Sequence, residues 1–291
     1  MCRANKPSRG RMVFVFMSGI RVLGSTSGLV PGDRFCTSLV VDIGDGLVVL
    51  DAGAPLATLL PQAGIEFSAI RALLLTHWHA DHSAGLPLLL QRLWLHNAIT
   101  APKQGTPPVI IPLYGPPLSA YRLDLLRSFY LLPFDEVLRR DIFPLPVTDM
   151  GPDERIDLGG SASAFMYLTT HWTHAHAQRL INENFGVPPV GYGIRLETEG
   201  HTLVYSGDAG SPEDCRPYLA GADLLVHELG HFHAGEVALV AKDSGVPRLL
   251  LVHLSAEYHG DSGSARAISE ARDAGYQGEV IVANDGLEVT F

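Results

Sequence analysis

Short apolar runs bounded by glycine, proline and acidic residues recur along this chain, and their length suggests what each one builds. Met12–Met17, Thr37–Ile43 and Leu47–Leu50 are strand-sized, and Gly44-Asp45-Gly46 between the last two is a hairpin signal. Leu73–Leu75 reads as a short buried strand ending near His77. Ala84–Leu95 is leucine-rich at helical length, Val109–Leu113 is again strand-like, and Leu118–Leu132 carries apolar residues on one helical face. The second half repeats the style. Strands are expected at Ala162–Thr170, Val190–Glu197, Leu203–Ser206, Leu224–His227, Leu249–His253 and Glu279–Ala283, with helices at Ala234–Ser244 and Ser264–Ala274. Two β-rich halves with helices between them predict an α/β fold of two packed sheets flanked by helices.

Composition narrows the classes. The 291 residues are 46% hydrophobic and 18% charged, the make-up of a globular protein. We read residues 1–291 as a single domain, with residues 1–11 as a disordered extension. A net charge of −10 argues against a broad nucleic-acid surface working by counterion release. Cys2, Cys36 and Cys215 form no C-x-x-C pair, so a disulfide framework is not expected and a reducing, cytoplasmic setting is. Met12–Met17 is too short for a signal-peptide core, and no run approaches the roughly 18 apolar residues of a membrane span.

The thirteen histidines change the picture most. Thr76-His77-Trp78-His79-Ala80-Asp81-His82 places His77, His79, Asp81 and His82 directly after an apolar strand. A spacing of two lets His77 and His79 converge on one ion from a turning backbone. Asp81 and His82 then enter the next helix and can reach a second ion. Zinc accepts imidazole nitrogen and carboxylate oxygen and leaves room for water, and manganese or iron could take its place in such a mixed site.

This motif resembles that of the metallo-β-lactamase superfamily, and further landmarks follow in its order. Leu23-Gly24-Ser25-Thr26-Ser27-Gly28 is similar to its glycine-rich first loop, Leu50-Asp51-Ala52-Gly53 to its strand-end L-D-x-G, and Ser206-Gly207-Asp208 to its G-D motif. The resemblance implies an αββα sandwich of two mixed β-sheets with a dinuclear site at one edge. It implies Asp51 as a residue orienting the metal loop, Asp208 as a bridging ligand and His253 as the last histidine ligand. His171, the first histidine after the strand Ala162–Thr170, is the favoured middle ligand, with His174 and His176 as alternatives. His201 is read as a bystander in a hairpin turn. The pocket walls are expected near Ala101–Pro117 and Trp172–Pro189.

Within the superfamily the chain resembles the ribonuclease Z-like group. Leu224-Leu225-Val226-His227-Glu228-Leu229-Gly230 is similar to that group's strand followed by H-E-A-T, and Arg248-Leu249-Leu250-Leu251-Val252-His253-Leu254-Ser255 to its R-L-x-L-T-H-F-S. The resemblance implies a proton-handling pair at Glu228 and His231, with His233 as the alternative for the second, and Asp81 joins them as a catalytic residue. The implied activity is a phosphodiesterase in which a hydroxide bridging two divalent metals, zinc foremost, attacks a phosphodiester. The rivals are hydrolysis of a lactone, thioester or other carboxylic ester at the same centre, and a non-catalytic sensor on the same fold. H-E-L-G stands where the group has H-E-A-T, and no long basic glycine/proline-rich arm is visible. A small anionic ester is therefore the expected partner, tRNA or another nucleic acid the less favoured one. No membrane partner is expected, and a homodimer is compatible with the resemblance.

Overall fold

The computed structural model describes residues 19–132, 145–172, 189–198 and 200–290. The expected strand Met12–Met17, the extension at residues 1–11, and His174 and His176 lie outside these residues.

Two seven-stranded sheets stack face to face. The first contains β1 (Gly19–Gly24), β2 (Ser38–Asp42), β3 (Leu47–Leu50), β4 (Ile70–Leu74), β5 (Leu113–Gly115), β6 (Val147–Asp149) and, at its far edge, β14 (Glu288–Thr290), in the order β14-β1-β2-β3-β4-β5-β6. The second contains β7 (Arg155–Gly159), β8 (Ala162–Leu168), β9 (Tyr192–Thr198), β10 (His201–Tyr205), β11 (Leu224–Leu229), β12 (Arg248–Leu254) and β13 (Glu279–Val282), in the order β13-β12-β11-β10-β9-β8-β7. Each sheet is antiparallel along one half and parallel along the other, so both are mixed.

The near-continuous apolar strands have a simple cause. Central strands here are buried on both faces, so alternation separates two apolar destinations rather than core from water. Leu39, Val41, Val48, Leu50 and Leu74 point between the sheets and meet Ala164, Met166, Ile194, Val226 and Val252. Val40, Val49, Leu73 and Leu75 point outward onto the helices Leu56–Gln62 and Leu86–Leu95. On the opposite side Leu225, Leu229, Leu249 and Leu251 meet Val237, Ala241, Ala267 and Ala271 of the helices Ala234–Asp243 and Gly260–Asp273.

Several boundaries differ from the sequence expectation. The hairpin at Gly44-Asp45-Gly46 forms: Ile43 N–H bonds Gly46 O at 3.0 Å and Gly44 takes φ +92°. The strand expected at Val109–Leu113 begins only at Leu113. Pro112 has no N–H to give a ladder, and Val109 is instead held on both its N–H and C=O by the Asn97 side chain. The helix Leu86–Leu95 widens into a π turn at His96–Thr100. Pro102 explains the widening, since it cannot bond the carbonyl four residues back. The stretch from Ala101, expected to wall the pocket, opens with a helix, Ala101–Gln104, stopped by left-handed Gly105. No described helix is long and apolar enough to cross a membrane.

Candidate metal centre

Parallel pairing sends the C-terminal ends of β3 and β4, and of β10, β11 and β12, to one edge. β8 runs in the same direction as β10, two antiparallel steps away. The described candidate ligands lie at one of these ends or in the segment that follows it, Asp81 and His82 in the short helix Ala80–Ser83. Three of the ends are left-handed: Asp51 at φ +61°, Gly207 at +56° and His253 at +48°. For non-glycine residues such backbone is costly, and it is tolerated where surrounding contacts over-determine it.

Two groups of donors meet around Asp208. In the first, His77 Nε2 lies 2.9 Å from His79 Nδ1, and His171 Nε2 lies 3.4 Å from the same atom. Asp208 Oδ2 faces this group, 3.6 Å from His77 Nε2 and 3.9 Å from His171 Nε2. In the second, His253 Nε2 lies 3.1 Å from Asp81 Oδ2 and His82 Nε2 lies 3.8 Å from it. Asp208 Oδ1 faces these, 3.2 Å from His82 Nε2 and 3.5 Å from His253 Nε2. The two oxygens of one carboxylate thus address different groups.

The donor set fits divalent cations on its own chemistry. His82 Nδ1 pairs with Asp51 Oδ2 at 2.8 Å, which turns Nε2 toward Asp208. His82 Nε2 and Asp208 Oδ1 are both buried and have no hydrogen-bond partner among the described residues. An imidazole nitrogen and a carboxylate oxygen facing one another in a buried site need positive charge between them, a proton or a metal cation.

The electrostatics divide the same way. Burial is the chief cause holding His77 well below the usual histidine range, and it brings His171 down to about 4. Burial also pulls His79 down. These imidazoles are neutral and ready to ligate. Burial opposes charge on His82 and His253 too, but carboxylates outweigh it. Asp208 and Asp51 push His82 well above its ordinary value, and Asp208 with Asp81 and Glu228 takes His253 to about 10. Asp208 itself is pulled well below the carboxylate range by the surrounding histidines despite its burial.

Beside this centre, Glu228 is fully buried and its carboxylate accepts from Ala209 N, Gly230 N and His231 N, each at 3.0 Å. Its Oε1 is 2.8 Å from His231 Nδ1. Burial alone would raise the Glu228 carboxyl, but the His231 hydrogen bond and the His253 imidazole, 3.7 Å away, bring it down to about 2. The same hydrogen bond to Glu228 raises His231. The His231 side chain is 44% exposed, so the pair joins a buried carboxylate to an imidazole at the mouth of the site. His233, the alternative to His231, contacts Tyr258 Oη at 3.2 Å and sits at the N-cap of the helix Ala234–Asp243. His201 opens β10, facing Asp223 at 3.9 Å, apart from the cluster.

Trp172, named beforehand only as the start of an expected pocket wall, joins two residues that were not singled out. Trp172 packs its ring 4.6 Å from His79 and 5.1 Å from His171. Thr76 donates to Asp51 from both its N–H and its hydroxyl, at 2.8 and 2.9 Å. The Tyr205 hydroxyl also donates to Asp51, at 2.9 Å. Thr76 and Tyr205 each adjoin a quoted motif, but their contacts cross between distant segments and leave no local pattern.

The Beta-lactamase superfamily domain profile matches residues 47–254, from β3 through β12. The chain belongs to this superfamily. Among curated relatives, a Ribonuclease Z of Haloarcula marismortui is 30% identical, with 90% of this chain aligned to 94% of that protein. A Ribonuclease Z of Pseudomonas putida is 25% identical, over 90% of this chain and 93% of that one. The crystal structure of the metallo-beta-lactamase fold protein YhfI from Bacillus subtilis superposes with a TM-score of 0.69 at 21% identity, covering 93% of this chain and 98% of that one. Within the superfamily the chain falls in the ribonuclease Z-like group, and it is a metal-dependent hydrolase. Its fold family implies divalent metal binding, which the donor groups around Asp208 suit.

Proposed function

We propose that residues 1–291 form one hydrolase domain that cleaves phosphodiesters with two divalent cations, zinc foremost. His77, His79 and His171 would hold the first, Asp81, His82 and His253 the second, and Asp208 both. The observation that carries this reading is Asp208, with one oxygen turned to each histidine group and Oδ1 unpartnered at 3.2 Å from His82 Nε2. Bound cations would supply Lewis-acid polarisation of a phosphoryl oxygen and a water of lowered pKa.

The remaining roles fall to this chain's own groups. A departing alkoxide needs a proton, and His231 sits at the mouth with Nδ1 against Glu228. Glu228 keeps the proton on that imidazole until it is needed, which suits a general acid. Trp172 walls the first histidine group and limits its access to water. Relatives named Ribonuclease Z support the phosphodiester class. The net charge of −10 favours a small anionic diester over an extended RNA surface.

The test is a parallel assay of chelated and metal-reloaded protein on bis(p-nitrophenyl) phosphate and on a lactone. Diesterase activity that disappears with chelation and returns with zinc is the expected result. Stoichiometric metal with no turnover on any diester, or turnover of the lactone alone, overturns the substrate class.

A further inference from the structure

We infer that Tyr205 is a positioning residue for the metal centre, acting through Asp51 from the opposite sheet. The inference rests on the metal-centre reading above. Asp51 is fully buried at the end of β3, and its Oδ2 accepts from His82 Nδ1 at 2.8 Å and from the Tyr205 hydroxyl at 2.9 Å. Its Oδ1 accepts from the Thr76 N–H and hydroxyl. The carboxylate is therefore held by donors from both sheets, and Tyr205 is the one reaching from β10. Tyr205 is 1% exposed, within the inter-sheet core, and it directly precedes the Ser206-Gly207-Asp208 turn.

Two consequences follow for the ligands. The bond to Asp51 sets which nitrogen of His82 is protonated and which faces Asp208, and the Asp51 carboxylate holds that ring only as firmly as it is itself held. Tyr205 also ties the turn that presents Asp208 to the strand end that orients His82. The spacing between Asp208 Oδ1 and His82 Nε2 is thereby fixed from both sides. Removing the hydroxyl leaves Asp51 held by Thr76 and His82 alone, and His82 free to rotate with it.

Tyr205→Phe deletes one oxygen and keeps the ring in the core. Tyr192→Phe is the matched control. Tyr192 is also buried in the inter-sheet core, and among the described residues its hydroxyl bonds Met150 O, at 2.8 Å, and not Asp51. Apo protein is titrated with zinc against a competing chelator, and with cobalt while its ligand-field absorption is followed. The expected result is a second equivalent weakened about tenfold or more in Y205F, the range for lost partners of ligating histidines, with the first equivalent and its cobalt spectrum unchanged. Y192F should match wild type in both titrations, whatever its thermal midpoint. Equal zinc affinities in Y205F and wild type, or the same weakening in Y192F, overturn the inference. Wild-type protein that binds no second equivalent overturns the dinuclear reading itself.

Discussion

The Glu228–His231 pair separates catalysis from metal binding at the scale of single atoms. His231 needs its proton to act as an acid, so rate should fall as pH rises through its raised value. Glu228 is the main cause of that raised value. Glu228→Gln should therefore move the alkaline limb of the kcat/KM profile to lower pH, while metal content stays the same. His231→Ala should cost about 10²- to 10⁴-fold in kcat on a dialkyl or alkyl-aryl diester, and much less on bis(p-nitrophenyl) phosphate, whose leaving group needs little protonation. Equal losses on the two substrates would argue against a general acid. Much of this site was legible in the sequence because H-x-H-x-D-H is local: its spacing alone brings four donors to one loop. Asp208 and His253 were legible from motif order. Tyr205 was not, and Trp172 only as the edge of a pocket-lining loop, because their contacts to Asp51 and His79 arise only when distant strand ends meet.

Elements are held at their ends as much as by their faces. The helix Ala234–Asp243 starts against Glu270 of the helix Gly260–Asp273, whose carboxylate accepts from Ala234 N at 3.1 Å, from the Tyr258 hydroxyl at 2.7 Å and from Arg266 at 2.7 Å. Burial would raise the Glu270 carboxyl, but Arg266 and Tyr258 lower it on balance. A folded-state value below the unfolded one stabilises the protein above the unfolded range, and that contribution is lost as pH falls through the folded value. Glu270→Gln should thus cost about 1 kcal/mol near neutral pH, a figure discounted because the carboxylate is partly solvated. Its thermal midpoint should converge with wild type as the medium becomes acidic. Element boundaries were less readable than element types. β7, with Ile156 and Leu158 buried between exposed neighbours, alternates visibly yet is bracketed by too many turn residues to stand out. β1 starts and ends on glycine and was not among the expected strands, although all its residues are buried. The helix expected from Ser264 begins at Gly260, where glycine gives no helical signal.

For the molecule as a whole, bound cations should be part of the fold's stability and not only of its chemistry. The donors converge from both sheets, and unloaded they leave buried polar atoms unpaired. Anything that binds the native state alone stabilises it by mass action, about 4 kcal/mol at a thousandfold excess over the dissociation constant. Chelation should lower the thermal midpoint by several degrees, and added zinc should restore it in calorimetry. An unchanged midpoint would mean that the apo site is already satisfied. The layering of the fold was legible in its strand-sized apolar runs, whereas the pairing order of the sheets was not, since β14 returns from the C-terminal end to close the first sheet beside β1. The division between the sheets carries a consequence of its own. His77, His79, Asp81 and His82 come from the half that builds the first sheet, and His171, Asp208 and His253 from the half that builds the second. Neither half owns a complete donor set, and β14 is borrowed across the divide. A chain cut between β6 and β7 should therefore yield two fragments that reassemble more tightly with zinc than without it, the ion serving as the clasp between them.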